Sequence, residues 1–377
     1  MYDGIKIECV LSDRKKWNKE VSMIGRHLEE TGEIVPLPSE AHIYGCTFSR
    51  QKIQGKTKYA FQGSLHKFYN RGGENDDNYT IRNVQDTLSE LRDKYGINPE
   101  QSKIVNFEFG VNVKLPTGTD AQVFQKYLVS AYTKAFEKLN PKRPMVGYIA
   151  EFNEFGIKIY DKGYQAQTGA TDQLRIEIKI NRTRWLDQFN FRKGSELFLS
   201  DLLNPINIKI LGDILEEKIR SLILTPREID TKKLSSKQRL TFYECRDARS
   251  WEEWTSKQRE RKRAQLKKIF QTLNQPDPVD VLARLVSAKW IELTTVRRDL
   301  EEEKQPQKVT ISTLIVSGIR VILNLFKRTA KGTQTKLYIV CLPRGIPLSR
   351  PREPSPLKGF RRWIDLNMRA PPVFEIK

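Results

Sequence analysis

The sequence predicts an α+β chain: a mixed or antiparallel sheet with helices packed on one face, followed by a basic, mainly helical C-terminal region. Three observations predict it. Short segments alternate apolar and polar residues with a period of two, as half-buried strands do, and helix-like segments interrupt them irregularly, as suits a sheet covered on one side. Charge divides the chain: residues 1–225 hold 33 Lys+Arg against 29 Asp+Glu, a net of +4, whereas residues 226–377 hold 33 against 17, a net of +16. Prolines crowd the C-terminus (Pro343, Pro347, Pro351, Pro354, Pro356, Pro371 and Pro372), which excludes long regular elements there.

In order along the chain, strands are expected near 4–11, 43–49, 58–65, 104–115, 147–152, 156–162 and 173–180, and helices at 12–31, 80–95, 120–139 and 195–222. The alternation is cleanest in Asn106 to Val113, where Phe107, Phe109, Val111 and Val113 face one way and Glu108, Gly110 and Asn112 the other. Arg71 to Tyr79 (RGGENDDNY) reads as a loop by its Gly, Asn and Asp content, and Gly118 to Asp120 with Asn140 to Pro144 bracket the third helix. Beyond Thr225, Leu234 to Leu273 is charged and helix-compatible until Asn274 to Pro278 breaks it. Val279 to Trp290 and Thr294 to Glu303 can form a helix pair, although neutral charge and the lack of a turn glycine count against a helix-turn-helix. No internal repeat stands out. The expected divisions are 1–225, 226–305 and 306–377, the last a small element and a basic, Pro-rich arm.

A chain of 377 residues with 38% hydrophobic and 10% aromatic residues can bury a real core, so wholesale disorder is excluded. Its four cysteines, at 9, 46, 245 and 341, are too scattered for a disulfide framework or a zinc site, and reduced thiols in a cytoplasmic compartment are expected. The opening MYDGIKIECVLSDRKKW has no export signal. Val309 to Phe326, interrupted by Gly318 and Arg320, falls short of a membrane span and is expected to be a buried strand or helix.

The net charge of +20 points to a polyanionic partner. Residues 226–274 (14 basic, 7 acidic) and 327–377 (12 basic, 3 acidic) flank a neutral stretch. Arg259, Arg261, Lys262, Arg263, Lys267 and Lys268 in the first block, and Arg361 and Arg362 in the second, are the expected DNA contacts, although a solvated helix face would also account for Lys257 to Lys268. Trp251, Trp254, Phe270, Phe360 and Trp363 can stack on bases or pack locally.

The histidines, His27, His42 and His66, form no metal-binding pair, and His66 reads as structural or functional. Walker A and dinucleotide glycine fingerprints are missing, which removes the ATPase and Rossmann readings. What remains lies on three strands. Glu108 is on the polar face of the first. In Gly156 to Gly163 (GIKIYDKG), Lys158, Tyr160 and Lys162 share one face; in Leu174 to Ile180 (LRIEIKI), Arg175, Glu177 and Lys179 do. A hairpin between the last two would bring Tyr160 beside Glu177. Such a face can be merely solvated. Yet carboxylates hold a hard divalent cation, that cation and the basic groups neutralise a phosphodiester, and a tyrosine can act as nucleophile. The set suits phosphodiester transesterification.

Phe61 to Phe68 (FQGSLHKF), Asn106 to Val113 (NFEFGVNV), Ile157 to Gly163 (IKIYDKG) and Leu174 to Ile180 (LRIEIKI), in that order, resemble the replication initiation proteins of the filamentous-phage gene II type. These are akin to the Rep-trans rolling-circle initiators and related relaxases of phages and plasmids. Tyr2 to Ile7 (YDGIKI) and Leu240 to Arg246 (LTFYECR) are similar in character to the start and C-terminal region of that family, so the likeness covers about residues 1–275. The resemblance implies a nicking-enzyme-like catalytic domain at 1–225 and a DNA-binding region at 226–305, with carboxylates in place of the usual histidine pair. It also implies a tyrosine that attacks one strand at an origin, stays joined to the 5′ phosphate and leaves a 3′ hydroxyl primer. Tyr160 would be the nucleophile, or Tyr164 at the hairpin tip. Glu108 and Glu177 would hold Mg²⁺ or Mn²⁺, and Lys162 and Arg175 would contact phosphate. The implied partners are origin DNA, single-stranded or supercoiled, with a host helicase and polymerase, in a bacterial cytoplasm.

Two other readings stand beside it. Asp161 with Glu177, Ile178 and Lys179 imitates the D…E-x-K set of hydrolytic nucleases, in which the lysine assists an attacking water; alternation, however, puts Asp161 on the opposite face from Tyr160. A non-catalytic DNA-binding regulator would need only the basic half.

Overall fold

The computed structural model describes residues 1–23, 39–140, 147–191 and 196–295, with two short strands, Leu337–Tyr338 and Glu375–Ile376, that pair antiparallel. Residues 1–297 form one compact unit and 298–377 a second. His27, Val309 to Phe326, Cys341, the C-terminal prolines, Phe360, Arg361, Arg362 and Trp363 lie outside the described residues.

The strands of the first unit are β1 (Tyr2–Cys9), β2 (Ser39–Ile43), β3 (Cys46–Ile53), β4 (Lys56–Ser64), β5 (Lys103–Lys114), β6 (Leu128–Ala131), β7 (Lys134–Ala135), β8 (Glu137–Lys138), β9 (Gly147–Glu151), β10 (Phe155–Asp161), β11 (Gln173–Ile180) and β12 (Leu222–Leu224). Nine form one sheet in the order β2-β3-β4-β1-β5-β11-β10-β9-β8, and β12-β6-β7 form a small second sheet. Every adjoining pair of the large sheet is antiparallel. The helices are α1 (Arg14–Glu20), α2 (Leu65–Tyr69), α3 (Ile81–Asp93), α4 (Ala121–Gln125), α5 (Lys162–Gln165), α6 (Pro205–Arg220), α7 (Ser236–Cys245), α8 (Ala248–Glu253), α9 (Ser256–Thr272) and α10 (Pro278–Thr294).

Alternation explains the layering. Ile5 and Ile7 of β1, Phe107, Phe109 and Val111 of β5, Ile176 and Ile178 of β11 and Ile157 and Ile159 of β10 are buried in one core with Leu88 and Leu91 of α3, Leu211 and Leu215 of α6 and Leu282 and Val286 of α10. Each such side chain contributes about 1.5–3 kcal/mol by leaving water. The intervening Lys6, Glu8 and Gln62 are exposed. Trp290 of α10 meets Phe109 edge-on at 5.9 Å and donates its indole N–H to Ile208 O of α6 at 3.1 Å. Gly212 makes room for it, since a Cβ there would lie 2.5 Å from the indole nitrogen. Helices α7 to α9 enclose a separate cluster of Phe242, Cys245, Trp251, Leu266, Ile269 and Phe270 against Val129 and Ile223. Residues 226–295 therefore feed two cores.

Several expected elements are divided differently. Residues 43–49 hold a turn rather than one strand: Tyr44 and Gly45, both with positive φ, join β2 to β3, and Gln54 and Gly55 likewise join β3 to β4. Residues 120–139 keep helix only in α4, after which β6 pairs with β12; partner strands outweigh the local helical spacing. Residues 195–222 break at Asn204 and Pro205, where the Asn204 side chain caps α6 and Pro205 takes its first turn. α1 ends at Glu20, short of the helix expected to 31. Leu234 to Leu273 is three helices, because capping boxes at Ser235/Gln238 and Thr255/Gln258 start α7 and α9. The tetrapeptide SKQR opens both, at Ser236–Arg239 and Ser256–Arg259. α10 runs through to Thr294, past the gap expected after Trp290. Among the described residues no helix is long and apolar enough to cross a membrane.

Candidate active site

The polar face of the sheet gathers charged residues where β1, β5, β11 and β10 adjoin. A bulge in β1 between Tyr2 and Ile5 lets both of those side chains reach the core while Asp3 turns to the polar side. There Asp3 Oδ2 accepts from Arg175 Nη2 at 3.1 Å and from Asn75 Nδ2 at 2.8 Å, and the Ser64 hydroxyl donates to Oδ1. Gly110 of β5 lies opposite Glu177, between the strands that carry Asp3 and Arg175. A Cβ at Gly110 would fall 1.9 Å from Ile176 O, so this close approach admits only glycine. Arg175 also donates Nε to Glu177 Oε1 at 2.7 Å and Nη1 to Asn112 Oδ1 at 3.0 Å.

The register sets how Tyr160 and Glu177 adjoin, as diagonal neighbours on paired strands. Tyr160 lies opposite Arg175, and Lys158 lies opposite Glu177. Lys158 Nζ is 2.5 Å from Glu108 Oε1 and 3.9 Å from Glu177 Oε2. Lys162, fully buried at the start of α5, donates to Asn75 Oδ1 at 2.5 Å and Gln165 Oε1 at 2.6 Å. Asp3, Glu108, Glu177, Lys158, Lys162 and Arg175 thus form one ionic network beside Tyr160.

Burial costs each of these charges solvation, and the network answers unequally. Burial pushes the Glu177 carboxyl up to about 6 against the pull of Arg175. Burial acts upward on Asp3 as well, but Arg175 and the Ser64 hydroxyl outweigh it and hold that carboxyl down to about 2. Burial, then the Glu177 carboxylate, push the Tyr160 hydroxyl well above the usual phenol range. Burial, then Arg175, lower Lys162. Carboxylates and a tyrosine displaced this far from their ordinary values are more frequent at reactive sites than in plain scaffolding.

Other expected site residues lie apart. Tyr164 is 44% exposed on α5, whereas Tyr160 is 6% exposed within the network. Lys179 turns to Glu151 at 3.4 Å, at the far end of the face. Asp161 caps α5, its Oδ1 accepting from Tyr164 N at 2.9 Å. In the basic block, Arg259 donates to the carbonyls of Trp251 and Trp254, Lys262 pairs with Glu244, and Arg263 donates to Ser221 O at 2.6 Å beyond the end of α6. Lys267 pairs with Asp280 at 2.9 Å. Arg261 and Lys268 are exposed and enter no ion pair among the described residues. Trp251 and Phe270 are buried locally, and the Trp251 indole donates to Cys245 O.

Asp3 and Asn75 were missed as site residues, and Lys158 was placed on the polar face without a role of its own. Asp3 precedes the expected first strand, and only the bulge reveals its side; Asn75 sits in a loop with no periodicity. That loop, Arg71 to Tyr79, is tied across the network: Asp76 O accepts from Asn112 and Gln173, both at 3.0 Å, and Asp77 Oδ1 lies 2.6 Å from His66 Nε2. His66 stacks on Tyr79 at 4.7 Å, and burial above all pushes it down to about 4. Its folded pKa lies below the unfolded value, so its contribution is full above pH ~6.5 and is lost as pH falls toward 4. In urea unfolding, the parent should lose about 2 kcal/mol more than His66→Phe between pH 7.5 and pH 5. Equal losses would show that His66 is not held neutral by the fold.

Among the described residues no three His, Cys, Asp or Glu side chains are arranged to hold a metal ion. The donor chemistry nevertheless fits a hard divalent cation that keeps several waters and takes only one or two carboxylates. Glu108 and Glu177 offer oxygens to one cationic position, and the Lys158 ammonium stands there.

No family model matches the chain. No curated protein matches it. Among solved structures, it is similar to "Structure of Rolling Circle Replication Initiator Protein from Geobacillus stearothermophilus", with a TM-score of 0.35 and 11% identity over 62% of this chain and 90% of that one.

Proposed function

We propose that the protein nicks and rejoins one DNA strand by tyrosine transesterification, as an initiator of rolling-circle replication. The observation that carries this reading is the gathering of Tyr160 with Asp3, Glu108, Glu177, Lys158, Lys162 and Arg175 on one sheet face. A tyrosine oxygen would bond to phosphorus as the P–O3′ bond breaks, giving a 5′-phosphotyrosine and a 3′ hydroxyl. The proton lost by the phenol is matched by the one the 3′ oxygen gains, so the step is reversible and the strand can be rejoined. Mg²⁺ or Mn²⁺ held by Glu108 and Glu177 would supply charge neutralisation at the phosphate. Lys162 and Arg175 add positive charge beside it, and Arg261 and Lys268 of α9 remain available to DNA phosphates. Arg361 and Arg362 are proposed to join them.

The exposure of Tyr164 favours a second reading in which that tyrosine attacks. A mobilisation relaxase would use the same chemistry. The hydrolytic reading is weakened by strand alternation, which puts Asp161 on the opposite face of β10 from Tyr160, and a DNA-binding regulator has no use for a buried ionic network.

The test is incubation with labelled single strands tiled from the DNA flanking the gene, with Mn²⁺ or with chelator, followed by a denaturing gel. A protein adduct on the 5′ phosphate is expected with Mn²⁺ alone. Glu108→Gln and Glu177→Gln should lower cleavage by orders of magnitude, and cleavage undiminished in chelator would remove the metal from the reading.

A further inference from the structure

The carboxylate oxygens of the network are not equally available. Arg175 claims Glu177 Oε1 and Asp3 Oδ2, and the Ser64 hydroxyl claims Asp3 Oδ1. Both oxygens of Glu108 and Glu177 Oε2 are left, and of these Glu108 Oε1 and Glu177 Oε2 are turned toward the ammonium of Lys158, at 2.5 and 3.9 Å. This is also the part of the network that reaches solvent: the side chains of Lys158 and Glu108 are 17% and 20% exposed, against 1% for Arg175. Gly4 borders it, where a Cβ would press on the Glu108 carboxyl at 3.2 Å.

We propose that Lys158 is an internal competitor for the cation seat between Glu108 and Glu177, so that a divalent cation binds there only when the ammonium withdraws. The proposal rests on the metal-dependent reading above and adds to it a positioning residue. With the ammonium in place the two carboxylates keep one net negative charge; once it withdraws, their two charges are what a divalent ion cancels. The flexible four-carbon stem lets the ammonium move out to solvent, where it can meet the phosphate of an arriving strand. Apparent affinity for the metal is then the intrinsic affinity reduced by the fraction of molecules in which Lys158 has left.

The test needs no DNA and no activity. Mn²⁺ alone is titrated into the full chain and read by calorimetry or by the EPR signal of free Mn²⁺. Lys158→Met should bind one Mn²⁺ about tenfold or more tightly than the parent, since the seat is no longer self-occupied. Lys158→Arg, which keeps a cation in reach, should remain as weak as the parent, and adding Glu108→Gln to Lys158→Met should remove the gain. Far-UV circular dichroism identifies any variant that fails to fold, and the Lys158→Arg comparison then still reads the site. Unchanged affinity in Lys158→Met, or a gain that survives Glu108→Gln, would overturn the proposal. If Lys158→Met gains affinity while no covalent adduct ever forms on DNA, the competition stands and the nicking reading falls. An adduct without a gain has the opposite meaning.

Discussion

Tyr160→Phe is expected to form no covalent adduct with DNA at all, while folding and binding DNA as the parent does. Only one oxygen is removed, and with it the atom that would bond to phosphorus, so the loss should be complete rather than partial. The buried ring, at the strand position paired with Arg175 and Gly147, remains, and the change in stability should stay within about 1 kcal/mol, the usual worth of one hydroxyl. Tyr164→Phe should retain the adduct, because that side chain stands in solvent outside the ionic network. Denaturing gels of both variants beside the parent decide the matter. Loss of the adduct in Tyr164→Phe alone would move the nucleophile to the exposed position. Cleavage by both variants without an adduct would favour an attacking water, with Glu177 and Lys179 as its attendants.

Arg175→Met should be the most damaging single change to stability. The guanidinium is 1% exposed and is shared among Glu177, Asp3 and Asn112. Its removal leaves two buried carboxylates facing each other without their common cation, a change that costs about 3–5 kcal/mol. That is a large share of the roughly 5–15 kcal/mol that holds a typical domain together. The carboxylates of the variant can relieve the repulsion by taking up a proton, so the deficit relative to the parent should be largest at neutral pH and shrink as pH falls toward 4. Urea unfolding at pH 7.5 and pH 4.5 measures both quantities. A deficit below about 1 kcal/mol at neutral pH would mean that the network is hydrated and the charges do not depend on one another.

The strands that build the site were legible because their period of two is unbroken: 104–115, 156–162 and 173–180 correspond to Lys103–Lys114, Phe155–Asp161 and Gln173–Ile180. The same regularity placed Glu108, Tyr160, Arg175 and Glu177 on one polar face. Asp3 escaped because a bulge, not alternation, decides which way it points. Asn75 escaped because a loop side chain acquires its place only from what the loop lies across. The basic block was legible as charge but not as contacts. Arg263 sits beyond the end of α6, Lys262 is paired with Glu244, and Lys267 with Asp280. Composition counts such residues only as charge, whereas the fold also gives each of them a partner.

The central position of β1 bears on how the chain reaches this structure. Asp3 meets Arg175 across a sequence separation of 172 positions, and β1 lies between β4 and β5, with β11 beyond. Contacts of such long range close large loops before they return any stabilisation, so folding is expected to be slow for a chain of this size. During synthesis, the first strand emerges long before the arginine that neutralises its aspartate exists. Until β11 docks, Asp3 has no reason to leave water, and the polar face cannot assemble piecemeal. The network therefore assembles in one late step, and a partly made chain carries Asp3, Glu108 and Tyr160 without the strand that joins them.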